Sequence, residues 1–239
     1  MNISGDMLTS CIIVAAGSGT RMKSSANKQF MPIGGVPMLA LTIKAFELCA
    51  QVNEIIVVMN KNDITYFNEN ILKAYDFKKL CKVSEGGATR QESVYKGLKC
   101  VSENADIVLV HDGARPFVDN GTIVRCIYAA DKYGASCAAI SSRDTVKQSD
   151  SRGFVLSTAD RESIRLAQTP QGFKKDILAR SHEKAIEENF TGTDDAVLAE
   201  RAGYKMKLTE GSVYNMKITT CDDIPIAEAV YKIFEISNL

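Results

Sequence analysis

Three short segments of this chain bring glycine together with cationic side chains. The first lies in Ser10–Phe30, where an apolar run, Cys11–Ala16, gives way to Gly17 and Gly19 and then to Arg21, Lys23 and Lys28. The second holds Gly86, Gly87 and Arg90, and the third holds Asp112, Gly113 and Arg115. Glycine lets backbone amides approach a ligand closely, and a cation beside those amides favours an anion. A buried strand, a loop able to wrap an anion, and then positive charge make the first segment a candidate grip on a nucleoside triphosphate, with reaction at one of its phosphates. The spacing excludes two common phosphate loops. Both the P-loop and the dinucleotide fingerprint would need a glycine where Met22 stands.

The elements that must position these loops follow from hydrophobic patterning. Short apolar runs at Cys11–Ala16, Glu54–Met59, Asp106–Val110 and Ala135–Ile140 read as buried strands, with a shorter one at Lys82–Ser84. Helical stretches alternate with them: Val36–Cys49, a segment capped at Asp63, one starting near Gln91, and one capped by Asp119 or Asn120 and running to about Lys132. Continuously apolar strands alternating with helices predict an α/β fold: a single Rossmann-like, mostly parallel sheet with helices on both faces. In such sheets ligands sit beyond the carboxyl ends of the strands, where Gly17, Gly86, Asp112 and Arg115 all fall.

From Ser141 to Thr169 the chain turns polar and reads as a projecting β-hairpin arm with its return segment. Thr169–Phe173 then leads into a helix ending near Glu188. Asp194 and Asp195 read as the cap of a helix over 196–202, Lys205–Thr209 and Val213–Ile218 as strands, and Asp222 or Asp223 as the start of a final helix. Residues 1–9 read as a flexible leader and 10–239 as one domain. A chain of 239 residues is expected to carry this domain alone.

Composition narrows the function classes. Twenty-nine basic and 29 acidic residues cancel, so no nucleic-acid or membrane surface is indicated and any anion site is a local cluster. No apolar run reaches the ~18 residues of a membrane span, and the start of the chain lacks signal-peptide features. Seven scattered cysteines without a C-x-x-C pair point to reduced thiols and a cytoplasmic location. With only His111 and His182, a histidine triad or zinc chemistry is not expected, and His111 reads as structural.

At this level of detail the chain resembles a known family. AAGSGTRM at 15–22 and NKQF at 27–30 are similar to the signature of nucleotidyltransferases that act on phosphorylated sugars and polyols. HDGARPF at 111–117, RDTVK at 143–147, DR at 160–161, QTPQGF at 168–173, TDDA at 193–196 and NMKITT at 215–220 narrow the resemblance to the 2-C-methyl-D-erythritol 4-phosphate cytidylyltransferases, over about residues 10 to 235. Asn27 stands where that family usually has proline, and Gly113 where alanine is common.

The resemblance implies transfer of CMP from CTP to methylerythritol phosphate in non-mevalonate isoprenoid synthesis, with Mg²⁺ or another divalent cation. It implies Arg21, Lys28, Arg161 and Lys217 as catalytic. It implies CTP contacts from Ala15, Ala16, Gly17, Ser18, Gly19, Thr20, Gly86, Gly87, Arg90 and Ser93. Asp112, Arg115, Thr145 and Thr169 would hold the acceptor, and Asp112 is also the candidate metal ligand. The 141–169 arm would reach into a second subunit's site, making a homodimer. Lys23 falls outside the matched positions and reads as solvated. Two alternatives stand beside this reading: a cytidylyltransferase for ribitol 5-phosphate or a similar polyol, and a non-catalytic nucleotide-binding protein, which the retained cations disfavour.

Overall fold

A computed structural model describes residues 7–17 and 28–237. A seven-stranded sheet runs in the order β11-β7-β10-β6-β1-β4-β5. Its strands are β1 (Thr9–Ala15), β4 (Glu54–Met59), β5 (Leu80–Glu85), β6 (Ile107–Asp112), β7 (Ala135–Ser141), β10 (Arg165–Lys174) and β11 (Lys207–Glu210). Two small ribbons, β2 (Pro32–Ile33) with β3 (Val36–Pro37) and β8 (Lys147–Ser149) with β9 (Val155–Thr158), stand apart from it. Strand β1 pairs in parallel with both β4 and β6, β4 with β5, and β11 with β7. Only β10 runs antiparallel, between β6 and β7.

Side-chain alternation along β1 assigns the two faces of the sheet. Cys11, Ile13 and Ala15 face a core built with α1 (Met38–Glu47) and α4 (Asn120–Tyr133). Ile12 and, less deeply, Val14 face the opposite core with α3 (Arg90–Leu98), α5 (Lys175–Glu187) and α6 (Asp195–Arg201). The α3 helix lies close against the sheet at Gly97, where a Cβ would come 2.7 Å from Ile12 Cγ2 and 2.8 Å from Val58 Cγ2. A third cluster packs α7 (Asp223–Ser237) against Ile33, Phe117 and Ile218, bracing the loop that carries Lys217. The remaining helix, α2 (Lys61–Phe67), follows β4.

The expected α/β sheet with helices on both faces is present, and the 147–158 hairpin forms. Four local readings change. The return from the arm is not simple connection: Arg165–Lys174 is a full central strand, hidden from period-based reading because Gln168, Thr169, Pro170, Gln171 and Gly172 fill its buried half with polar and small residues. Residues 213–218 carry no strand. Asp63 is not a cap: Asn60 stands at the start of α2, and Asp63, buried in its first turn, accepts from Gln29 Nε2 at 3.2 Å. The first strand begins at Thr9, where Thr9 N–H donates to Asn53 Oδ1 at 2.8 Å. No disulfide links the seven cysteines, and no described helix is long and apolar enough to cross a membrane.

Candidate active site

The carboxyl ends of β1, β4, β5 and β6 open into a cleft of about 490 Å³. Ala15, Ala16 and Gly17 line it from β1, Gly87 and Ser93 from the loop and helix after β5, and Asp112 from β6. Lys28 and Lys217 line the same space, with Lys217 Nζ against Asp112.

The wall after β5 is built by local hydrogen bonding. Thr89 caps α3 by accepting from Glu92 N–H at 3.1 Å, and Glu92 reaches back to accept from Ala88 N–H at 2.8 Å, as in a capping box. The Ser93 hydroxyl accepts from Gly87 N–H at 3.0 Å and donates to Thr89 O at 2.8 Å. Gly86 N–H donates to Met59 O at 2.8 Å, so this loop is tied to the end of β4. A Cβ on Gly86 would lie 2.5 Å from Ala16 Cβ and 2.9 Å from Ser93 Oγ, which is why the close approach of the two glycine loops requires glycine there.

Asp112 is the electrostatic centre. Its Oδ1 accepts from Arg90 Nε at 3.2 Å; its Oδ2 lies 2.8 Å from Lys217 Nζ and 3.6 Å from Arg115 Nε. Burial alone would push this carboxyl up, but Arg90, Lys217 and Arg115 outweigh it and hold it well below the usual carboxylate range. The Arg115 guanidinium donates from Nη1 to Asn215 O at 2.7 Å, and Ile218 N–H donates to Ala114 O at 2.9 Å, so the 215–218 loop is fastened to the 112–115 turn. That fastening sets where Lys217 points.

Thr169 and His111 lie beneath Asp112. Antiparallel pairing of Gln171 with Val110 brings Thr169 beside Asp112. The Thr169 hydroxyl accepts from Asp112 N–H at 3.1 Å, which leaves its own proton for His111 Nδ1 at 3.0 Å. His111 Nε2 faces Arg115 O at 3.1 Å, an atom that only accepts, so the ring carries its proton on Nε2. Burial pushes the imidazole down to about 4, and it stays neutral. Both nitrogens are occupied inside the protein.

Arg90 spans two carboxylates, donating from Nη1 to Asp195 Oδ2 at 2.6 Å as well as to Asp112. Burial works against its charge, but Asp195 and Asp112 prevail and raise its pKa. Asp195, fully buried in the first turn of α6, also accepts from His182 Nε2 at 2.9 Å. The sequence read Asp194 and Asp195 alike as a cap. Asp194 alone does that, accepting from Val197 N–H at 2.9 Å. The missed pair left two traces: an acidic residue next to one already serving as the cap, and a histidine on the buried face of α5 with Leu178, Ser181 and Ala185.

The other expected residues divide into three groups. Ser18, Gly19, Thr20, Arg21 and Asn27 lie outside the described residues. Thr145 and Arg161 are exposed beside the β8–β9 ribbon and do not line this cleft; Arg161 Nη1 donates to Arg143 O at 3.4 Å. Thr169 is buried, with its hydroxyl already bonded as described. At Gly113 an added Cβ would meet Val14 O at 3.1 Å and Ala15 Cβ at 3.2 Å, a tight fit. Among the described residues no group of three His, Cys, Asp or Glu could hold a metal ion. Among the described residues Asp112 is the one carboxylate lining the cleft, and there its Oδ1 accepts a single bond, from Arg90. That donor set suits a hard cation held mainly by phosphate oxygens, as Mg²⁺ is when one carboxylate and a nucleotide share it.

Comparison with known proteins points to one family. The family model for 2-C-methyl-D-erythritol 4-phosphate cytidylyltransferase matches residues 9–232. The 2-C-methyl-D-erythritol 4-phosphate cytidylyltransferase of Caldanaerobacter subterraneus is 45% identical over 222 residues, covering 93% of this chain and 98% of that protein. The enzyme of the same name from Clostridium novyi is 43% identical over 219 residues, with 92% and 94% covered. Among solved structures, the 4-diphosphocytidyl-2C-methyl-D-erythritol synthase of Anaerococcus prevotii superposes with a TM-score of 0.83 at 34% identity, covering 95% of this chain and 99% of that one. The Thermus thermophilus cytidylyltransferase gives a TM-score of 0.76 at 33% identity, with 95% and 100% covered. With the match running from the first strand into the last helix, this chain belongs to the 2-C-methyl-D-erythritol 4-phosphate cytidylyltransferase family.

Proposed function

We propose that this cleft is where the family's reaction takes place. The enzyme transfers CMP from CTP to 2-C-methyl-D-erythritol 4-phosphate, giving 4-diphosphocytidyl-2-C-methyl-D-erythritol and pyrophosphate in isoprenoid precursor synthesis. A non-bridging oxygen of the acceptor's phosphate forms a bond to the α-phosphorus of CTP, and the bond from that phosphorus to the β-phosphate bridge breaks. The nucleophile is already anionic, so no proton has to be removed. This fits His111, which is neutral, buried and internally bonded.

The task left to the protein is to bring two polyanions together in line. Backbone around Ala15–Gly17, continued by Ser18, Gly19 and Thr20, would cradle the triphosphate. Gly86, Gly87, Ser93 and the neighbouring Arg90 would border the base and ribose. Lys28 and Arg21 would stabilise charge growing on the α-phosphate and its leaving oxygen. Lys217 and Arg115, held by Asp112, would meet the acceptor phosphate. A divalent cation, placed by the triphosphate with Asp112, would neutralise charge at the reacting phosphates. The observation that carries this reading is the convergence of Lys28, Lys217 and the glycine loops on one cleft at the carboxyl edge of the sheet.

Thr145 and Arg161 complete the acceptor site in trans in this reading. The β9 ribbon exposes Phe154, Val155 and Leu156 in succession, an apolar run that supports burial of this arm against a second copy of the chain. The protein would then be a homodimer, and its unlinked cysteines fit a cytoplasmic setting.

The test is a comparison of acceptors. With CTP and Mg²⁺, methylerythritol phosphate is expected to support pyrophosphate release and ribitol 5-phosphate is not. Turnover with ribitol 5-phosphate alone would replace the acceptor assignment.

A further inference from the structure

Behind the cleft lies a carboxylate for which the reaction above has no use. Asp195 is fully buried on α6, yet its neighbour Asp194 already caps that helix. A buried carboxylate is costly to keep unless partners hold it. Asp195 has two, Arg90 Nη1 at 2.6 Å and His182 Nε2 at 2.9 Å. His182 is also fully buried, stacks on Tyr95 with ring centroids 5.9 Å apart, and has no partner at Nδ1 among the described residues. Among those residues its one ring hydrogen bond goes to Asp195.

The connections continue towards the cleft. Arg90 is held at Nη1 by Asp195 and reaches Asp112 Oδ1 from Nε; Asp112 Oδ2 in turn holds Lys217 Nζ at 2.8 Å. Two carboxylates and three cations thus share one network: Asp112 lies among Arg90, Arg115 and Lys217, and Asp195 between Arg90 and His182. Without Asp195, Asp112 would be the sole anion paired with Arg90. Asp112 would be drawn to Arg90 at the expense of Lys217, and the cleft would become one charge more positive.

We infer that Asp195 and His182 are positioning residues for the transfer, setting the Lys217 ammonium through Arg90 and Asp112. The inference rests on the reading above that Lys217 meets the acceptor phosphate. It carries a signature that a merely structural role lacks. Loss of Asp195 adds positive charge that keeps polyanion binding intact, loss of His182 leaves both carboxylates in place, and in each case misalignment lowers the chemical rate, so kcat falls and KM does not rise.

The experiment compares Asp195→Asn, His182→Leu and His182→Gln with the wild-type protein, measuring kcat and KM for CTP and acceptor and solving the Asp195→Asn crystal structure. Glutamine keeps a donor for Asp195; leucine does not. Misplacement of a group near the reacting atoms costs up to about 100-fold in rate. Asp195→Asn is expected to approach that loss at unchanged or lower KM. His182→Leu is expected to lose about 10-fold, and His182→Gln to stay within about twofold of wild type. In the Asp195→Asn crystal, the Lys217 Nζ to Asp112 Oδ2 contact is expected to open beyond hydrogen-bond reach. Equal kcat for the leucine and glutamine variants, or a loss expressed only in KM, would overturn the inference. So would an unchanged Lys217–Asp112 contact, a readout that does not depend on turnover. An inactive wild-type protein would instead count against the functional reading.

Discussion

Mild acid is expected to loosen the turn that carries Asp112 and Arg115, and His111 sets the size of the effect. The ring is fully buried, and protonating Nδ1 would put a second donor against the Thr169 hydroxyl while Arg115 and Lys217 stand nearby. Burial is the main cause that lowers its pKa from 6.5 to about 4. A base whose pKa is lower in the folded state takes up protons first in the unfolded chain, so stability is complete above the unfolded pKa and falls as pH drops towards the folded one. At 1.36 kcal/mol for each pH unit, the window from 6.5 to about 4 is worth about 3 kcal/mol, of which about 2 kcal/mol is gone by about pH 5. His111→Gln keeps a donor for Arg115 O but does not titrate. Urea unfolding of both proteins between about pH 7.5 and 4.5 therefore isolates the contribution of His111, because every other titratable group is common to both. The wild-type protein is expected to lose about 2 kcal/mol more than the variant on going from about pH 7.5 to 5. Parallel pH curves for the two proteins would refute the reasoning.

Three further outcomes follow from the cleft geometry. Thr169→Val leaves Asp112 N–H and His111 Nδ1 buried and unpaired, which should cost about 2–4 kcal/mol in a denaturant titration, whereas Thr169→Ser should stay close to wild type. Gly86→Ala drives a methyl group onto Ala16 and Ser93, so the KM for CTP should rise about tenfold while that for the acceptor holds. Lys28→Ala should lower kcat by ~10²-fold with an unchanged melting midpoint; an unchanged rate would remove Lys28 from the reaction.

Much of the fold was legible because burial writes itself into sequence. Ile12, Val57, Leu109 and their neighbours are apolar without break since helices cover both faces of β1, β4 and β6. The glycine loops were visible for a related reason: close backbone approach excludes other residues, as at Gly86. Strand β10 escaped because its buried residues, Gln168, Thr169 and Gln171, are polar and satisfied by long-range bonds. Gln168 donates to Ser212 O at 2.9 Å, and Gln171 to Asp194 Oδ2 at 2.8 Å. Nothing local announces such partners. The same limit hid Asp195, whose partner Arg90 lies 105 positions away. It also kept out of view that the hydroxyl of Thr169 is engaged by Asp112 and His111.

The central claim is that an acceptor phosphate oxygen attacks the α-phosphorus of CTP in this cleft. Its most direct test uses methylerythritol phosphate carrying heavy oxygen throughout its phosphate, incubated with CTP, Mg²⁺ and the protein, and followed by phosphorus NMR. The account predicts equal amounts of a new diphosphate-linked product and of pyrophosphate, with the label in the product's bridge and none in the pyrophosphate. An unlabelled bridge, or labelled pyrophosphate, would contradict it.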